Sequence, residues 1–220
     1  MGMMPMLVLG TVGIAFVVFF CKPKTMPWWK AALLPLITTA AGVTGTLLLF
    51  YIENGSFGGY SFFGAVIFIP FLFAPVSLLL KIPYSQLMDL AAPSESIMLA
   101  VMKINCFIAG CCGGRVISYT DKGIPVFFPS QIVESVHALL MTAVLIMLIK
   151  KPRNAGKIHP YYLLIYGVSR FILSFFRYDR EPFVWLLPAG NFWSLCAVAA
   201  GVLWLAVLKH VQKKEENNEF

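Results

Sequence analysis

Apolar residues run along this chain in long unbroken blocks, without the alternation of a half-buried strand or the three-to-four spacing of a soluble amphipathic helix. Seven blocks stand out: residues 5–20, 28–51, 60–80, 96–112, 131–149, 161–176 and 192–208. A helix needs about 20 apolar residues to cross the hydrocarbon core. The pattern therefore predicts an all-α, polytopic membrane protein with about seven transmembrane helices, and the 220 residues are expected to form a single transmembrane helical domain. Composition agrees, since 59% of residues are hydrophobic and only 12% charged, against about 25% charged in soluble domains. The first block is short, and Lys22 and Lys24 follow it. A secretory signal carries its basic residues first, so this block is read as a retained span.

Basic residues set the orientation, because cytoplasmic loops collect lysine and arginine. With the amino terminus outside, the inner connectors hold Lys22, Lys24, Lys30, Lys81, Lys150, Lys151, Arg153 and Lys157, and the cytoplasmic tail adds Lys209, Lys213 and Lys214. The outer connectors hold only Arg115, Lys122, Arg177 and Arg180. The net charge of +7 thus reports membrane topology and anionic lipid, and nucleic acid is not expected as a partner. Three polar segments gather at the outer face: 53–60, 113–130 and 177–182. On the inner side the stretch 82–90 is amphipathic enough to lie along the interface.

Two basic residues, Lys103 and Arg170, fall inside predicted spans. A cation at mid-span costs about 2.5–3.5 kcal/mol on insertion scales, so such residues face a bundle interior or a wet cavity. Read as helix, Lys103 shares a stripe with Cys106, Gly110 and Gly114, and Tyr166, Arg170, Ser174 and Arg177 share another. Two cationic stripes rising to the outer face form a funnel for a phosphate, which the planar arginine fork meets two oxygens at a time. Glu134, at the outer start of the fifth block, is an internal partner open to Arg170. Arg177 and Arg180 have the alternative of snorkelling to the interface, and Lys103 that of helix-end carbonyls.

Several of these segments, in order, carry a resemblance. Gly58-Gly59-Tyr60-Ser61-Phe62-Phe63-Gly64 resembles a G-G-x-S-F-H-G block, and Asp89 with Ala92-Pro93 a D-x-x-A-P block. Residues 103–115, from Lys103 to Arg115, resemble R-x-G-N-F-x-N-G-E-x-x-G-R. Pro129-Ser130-Gln131 with Glu134 resembles P-S-Q-L-Y-E, and residues 166–177 resemble Y-G-x-x-R-F-x-x-E-F-F-R. These are blocks of the prolipoprotein diacylglyceryl transferase family, and the family-like core covers residues 57–182.

The resemblance implies a plasma-membrane enzyme of bacterial type, working at the extracytoplasmic face without a cofactor or metal. The family moves a diacylglyceryl group from phosphatidylglycerol to the thiol of a lipobox cysteine on a prolipoprotein. On that pattern Arg170, Lys103 and Cys111 are the catalytic candidates. The phospholipid-binding candidates are Arg115, Arg177, Gly58, Gly59, Ser61, Gly64, Gly110, Gly114, Gln131, Glu134 and Tyr166. The chain departs from the pattern at directional groups: Phe63 replaces a histidine, Lys103 an arginine, Cys106 an asparagine, and Cys111 and Ser174 glutamates. A second reading therefore stays open, a non-catalytic or thiol-redox protein that keeps the lipid-binding scaffold.

Cys106, Cys111 and Cys112 cluster at the outer end of the fourth block, with Cys196 expected at similar depth. They suit an activated nucleophile, a thiol–disulfide pair, or small apolar packing residues; with no histidine at ligand spacing, a metal is the weaker reading. His137, one turn after Glu134, is placed to relay a proton, while His159 and His210 fall at the inner surface. Trp28, Trp29, Trp185 and Trp193 fall near span ends, where aromatic belts form.

Overall fold

The computed structural model describes residues 3–178, 182–184 and 186–218. Seven helices follow one another: α1 (Met3–Cys21), α2 (Trp28–Asn54), α3 (Phe62–Leu80), α4 (Tyr84–Ile108), α5 (Ser130–Ile149), α6 (Ile158–Ser174) and α7 (Ala189–Asn218). Two short antiparallel hairpins interrupt them, β1 (Val116–Tyr119) with β2 (Pro125–Phe127) and β3 (Pro182–Val184) with β4 (Leu187–Pro188). Six helices are long and apolar enough to cross a membrane. The remaining one, α6, has 17 residues and is the shortest. Asp179, Arg180, Glu181 and Trp185 lie outside the described residues.

Polarity is distributed inside out. Phe71, Leu78, Leu79 and Leu140 are among the large side chains left exposed, while Ser94, Glu95, Ser96, Lys103, Glu134 and Ser135 are buried. That is the distribution expected where lipid is the solvent, so that close packing and hydrogen bonds between helices replace the hydrophobic drive. Both devices are visible. α2 crosses α3 at Gly45 and Gly64, where a Cβ on Gly64 would be driven into the Gly45 backbone. α6 meets α7 at Gly167, whose added Cβ would sit 2.9 Å from the Ser194 carbonyl oxygen. α4 and α5 exchange a reciprocal pair: Ser96 Oγ donates to the Ala138 carbonyl at 2.8 Å, and Ser135 Oγ donates to the Ala100 carbonyl at 3.0 Å.

The structure corrects three expectations. The stretch 82–90 does not lie along the interface. From Tyr84 on it forms the opening turns of α4, with Leu87, Met88, Asp89 and Leu90 buried. The cause is Asp89, whose carboxylate accepts from the Gly156 N–H at 2.6 Å and the Ile158 N–H at 3.0 Å. It thereby satisfies orphan donors at the start of α6. Secondly, α4 ends at Ile108 instead of continuing to residue 112, because Gly110 turns the chain at φ 69°. Gly110 and Gly114 therefore share no helical stripe with Lys103. Thirdly, His159 is not at the surface; it is fully buried, its ring 5.7 Å from Tyr162 and 5.4 Å from Trp204.

Replacing Asp89 by alanine strands the α6 donors in the interior. Asp89→Ala is expected to lower stability by about 1–3 kcal/mol, read as an earlier tryptophan-fluorescence melt in detergent. An unchanged melt would mean that α6 is seated by its α7 contacts alone.

Candidate functional site

A cavity of about 840 Å³ opens among α1, α2, α3, α4, α6 and α7. Its walls divide by chemistry. Met6, Leu7, Ile14, Ala65 and Ile69 form an apolar flank between α1, α2 and α3. Lys103, Asn105, Cys106, Arg170, Ser174 and Arg177 form a polar end with the glycine segment Gly58-Gly59. A volume in the range of 300–1,000 Å³ with a few convergent polar groups is what small-molecule sites share.

The polar end is organised by one carboxylate. Glu134, near the start of α5, is 3% exposed; it takes Lys103 Nζ on Oε2 at 2.7 Å and Arg177 Nη1 on Oε1 at 3.0 Å. Lys103 comes from the last two turns of α4, and Arg177 from just beyond the end of α6. The third cation, Arg170, points into the same cavity. Its Nη1 is buried with no hydrogen-bond partner among the described residues. Gly190 at the start of α7 leaves it room, since a Cβ there would approach its guanidinium to 3.2 Å. Glu134 makes its direct contacts with Lys103 and Arg177, while Arg170 acts on it electrostatically without a direct salt bridge among the described residues. His137 stands in the field of Glu134 and does not line the cavity.

The expected site residues separate into those that face the cavity and those that frame it. Lys103, Cys111, Gly58, Gly59, Ser61, Tyr166, Arg170 and Arg177 line it. Gly64, Gly110, Gly114, Arg115 and Gln131 do not. Gly64 is a helix-crossing residue. Gly114 lets three backbones meet: it bridges to Arg177, and an added Cβ would come 2.9 Å from the Phe176 carbonyl oxygen. Arg115 is exposed, with its guanidinium 5.4 Å above the Phe176 ring. Gln131 donates from Nε2 to the Cys111 carbonyl at 2.7 Å, and Ser130 Oγ donates to the Cys112 carbonyl at 2.9 Å. The Pro-Ser-Gln block therefore holds the cysteine loop.

That loop brings Cys106, Cys111 and Cys112 together, with their sulfur atoms all within 4.8 Å of one another. Cys196 is exposed on α7 and does not join them. Cys112, beyond the end of α4, has its thiol held below the usual range. The Cys106 thiol donating to it is the main cause, and Lys103 and Arg177 assist. Phe63, where the resembling pattern has histidine, is buried against Tyr166 with ring centres 5.2 Å apart, so no base stands there.

Two cavity residues escaped the sequence reading. Glu95 is 2% exposed and stands beside the Tyr162 hydroxyl, with neither carboxylate oxygen in a well-formed hydrogen bond among the described residues. Asn105 Oδ1 is buried in the same condition. A carboxylate inside an apolar span is itself a functional signal, but Glu95 falls one residue before the fourth block as read from the sequence, and only the longer α4 brings it inside a span.

Fold and site together define a multi-pass membrane protein with a cationic chamber flanked by an apolar slot. Comparison with known proteins gives the class its name. The profile of the prolipoprotein diacylglyceryl transferase family matches residues 43–207, and the chain belongs to that family. The match is wider than the motif-bearing core of residues 57–182. Among similar proteins is the phosphatidylglycerol–prolipoprotein diacylglyceryl transferase 2 of Clostridium perfringens (strain 13 / Type A). It is 27% identical over 204 residues, covering 82% of this chain and 79% of the relative. The phosphatidylglycerol–prolipoprotein diacylglyceryl transferase of Clostridium tetani is 31% identical over 130 residues, covering 53% and 51%. That of Idiomarina loihiensis is 35% identical over 158 residues, covering 67% and 57%. The chain thus spans just over half the length of the last two.

Removing the organising carboxylate strips Lys103 and Arg177 of the anion they share. Glu134→Ala is expected to cost about 3–5 kcal/mol in denaturant melts of the detergent-solubilised protein. Adding Lys103→Met to it should recover part of that loss, whereas strict additivity of the two changes would show that the pair is not coupled.

Proposed function

We propose that this chain transfers the diacylglyceryl group of phosphatidylglycerol to a thiol acceptor, the cysteine of a lipobox-bearing prolipoprotein, at the outer leaflet of a bacterial plasma membrane. The whole chain works as one helical unit. The observation that carries this reading is Arg170, a half-buried cavity residue whose guanidinium Nη1 is buried without a hydrogen-bond partner among the described residues. A buried donor without a hydrogen-bond partner is costly, and an anionic substrate phosphate supplies one.

The reaction follows from the arrangement. Acyl chains lie along the apolar flank formed by Met6, Leu7, Ile14, Ala65 and Ile69. The phosphate sits at the polar end, in the field of Arg170, Lys103 and Arg177. The acceptor thiol gives its proton to water, and its sulfur attacks the glycerol carbon next to the phosphate oxygen. A C–S bond forms, the C–O bond breaks, and its electron pair remains on the departing glycerol phosphate. Negative charge grows on that oxygen in the transition state, where fixed cations count most. Asn105 and Glu95 offer acceptors to the hydroxyls of the glycerol head group. Tyr166, packed on Phe63, walls the chamber. Gly58, Gly59 and Ser61 form its rim, with Ser61 Oγ fixed by a 3.0 Å hydrogen bond to Glu53.

The charge count along the connectors supports placing this polar end outside. Ends of α2, α4 and α6 and starts of α3, α5 and α7 meet there, at the face with four basic connector residues against eleven on the other. The names of the relatives and the unpaired Arg170 favour catalysis over a scaffold that only binds.

The test is turnover. Purified protein in phosphatidylglycerol bilayers, given a lipobox peptide, should produce the diacylglyceryl adduct by mass spectrometry. Arg170→Ala should lower the rate by about 10²–10³-fold with an unchanged melt. Absence of adduct from folded protein under reducing conditions would remove the transferase reading.

A further inference from the structure

The reaction needs a thiolate, since the thiolate is the nucleophile, and the chamber has phenylalanine where the family pattern has histidine. The cysteine loop offers another way to make one. Cys106 lies in the last turn of α4, and the chain then reverses through Gly110 at φ 69°. Cys112 follows at φ 59°, one of two non-glycine residues with positive φ among the described residues. A side-chain-bearing residue in that region costs about 1–3 kcal/mol and persists where its surroundings over-determine it; such positions cluster at ligand clamps. The surroundings here are specific. Ser130 and Gln131 hold the Cys112 and Cys111 carbonyls, and the Cys111 N–H donates to the Cys106 carbonyl at 3.1 Å. The conformation they fix draws three sulfur atoms within 4.8 Å of one another at the cavity wall.

Tetrahedral zinc with Zn–S bonds of about 2.3 Å sets its sulfurs about 3.8 Å apart, which these three reach with small side-chain rotations. Three protein ligands are also the number that leaves a zinc ion its fourth position. We propose that Cys106, Cys111 and Cys112 form a three-sulfur zinc site whose fourth position faces the cavity and takes the sulfur of the acceptor cysteine. This role rests on the transferase reading; the site itself does not. Three thiolates around Zn²⁺ carry one net negative charge, and the Lys103–Glu134–Arg177 cluster beside them carries one net positive charge. On binding, the acceptor thiol gives its proton to water at the cavity mouth and its sulfur to zinc. That sulfur then attacks the glycerol carbon, the C–O electron pair leaves with glycerol phosphate, and the neutral thioether, a weaker ligand, departs. No oxidant or reductant is consumed.

Cobalt(II) reports the site directly, because sulfur-to-cobalt charge transfer and tetrahedral d–d bands mark thiolate ligands. The full chain, reduced and in detergent, should bind about one Co²⁺ with these bands. Cys106→Ser and Cys112→Ser should each weaken binding at least tenfold while keeping the wild-type melt, and Cys196→Ser should leave the bands unchanged. A lipobox peptide should intensify the charge-transfer band, and its cysteine-to-serine version should not. Folded, reduced wild-type protein without the bands would overturn the site. Bands indifferent to the cysteine peptide would overturn its role in acceptor activation. Bands that respond to the peptide without any adduct formed would keep the site and remove the transferase reading instead.

Discussion

The ion cluster at Glu134 governs how the outer half of this bundle assembles. Lys103 at the end of α4, Glu134 at the start of α5 and Arg177 beyond α6 cannot each be buried alone, because an unpaired charge in the membrane interior is too costly. Their contacts of 2.7 and 3.0 Å therefore fix the three segments against one another before any substrate arrives. The backbone around them is drawn together to match. Gly114 bridges to Arg177, and the Arg115 N–H donates to the Phe176 carbonyl at 2.9 Å. Ser130 and Gln131 then reach back to the cysteine loop from the first turn of α5, the same turn region that presents Glu134. The polar end of the cavity is thus tied together by the α4–α5 and α6–α7 connectors, while its apolar flank is plain helix packing.

At the opposite end one residue has the corresponding role. Asp89 inserts from α4 into the start of α6. It anchors the shortest helix of the fold, and α6 in turn carries Tyr166, Arg170 and Ser174 to the cavity. A carboxylate far from the chamber thereby sets the height at which Arg170 stands. Ser174 is held in its turn by Asn191 at the start of α7, where the resembling family pattern has a glutamate.

The spans were legible because hydropathy alone locates them, and Lys103 and Arg170 were legible because cations in such spans are rare. The family was legible in the order of its blocks. What could not be read was which side chains face inward once the helices end. Periodicity carried Gly110 and Gly114 onto the Lys103 stripe, but Gly110 turns the chain and breaks the register. Arg115 and Gln131 sit in matching motifs, yet one is spent over the Phe176 ring and the other on a backbone carbonyl. The stretch 82–90 looked amphipathic because Asp89 reads as polar, and its partners lie 67 and 69 residues away. Local sequence holds no record of such a pairing.

The division of labour among the three cations explains why lysine suffices at position 103. Lysine is a compact point charge that occupies one carboxylate oxygen, whereas an arginine fork tends to take both. Lys103 on Oε2 leaves Oε1 to Arg177, so Glu134 is saturated by two partners. Arg170 adds to the positive field on Glu134 without a direct contact, and its Nη1 has no hydrogen-bond partner among the described residues. The cluster therefore both holds the fold and keeps one guanidinium available. In the proposed reaction, bidentate phosphate recognition then falls to Arg170 instead of position 103.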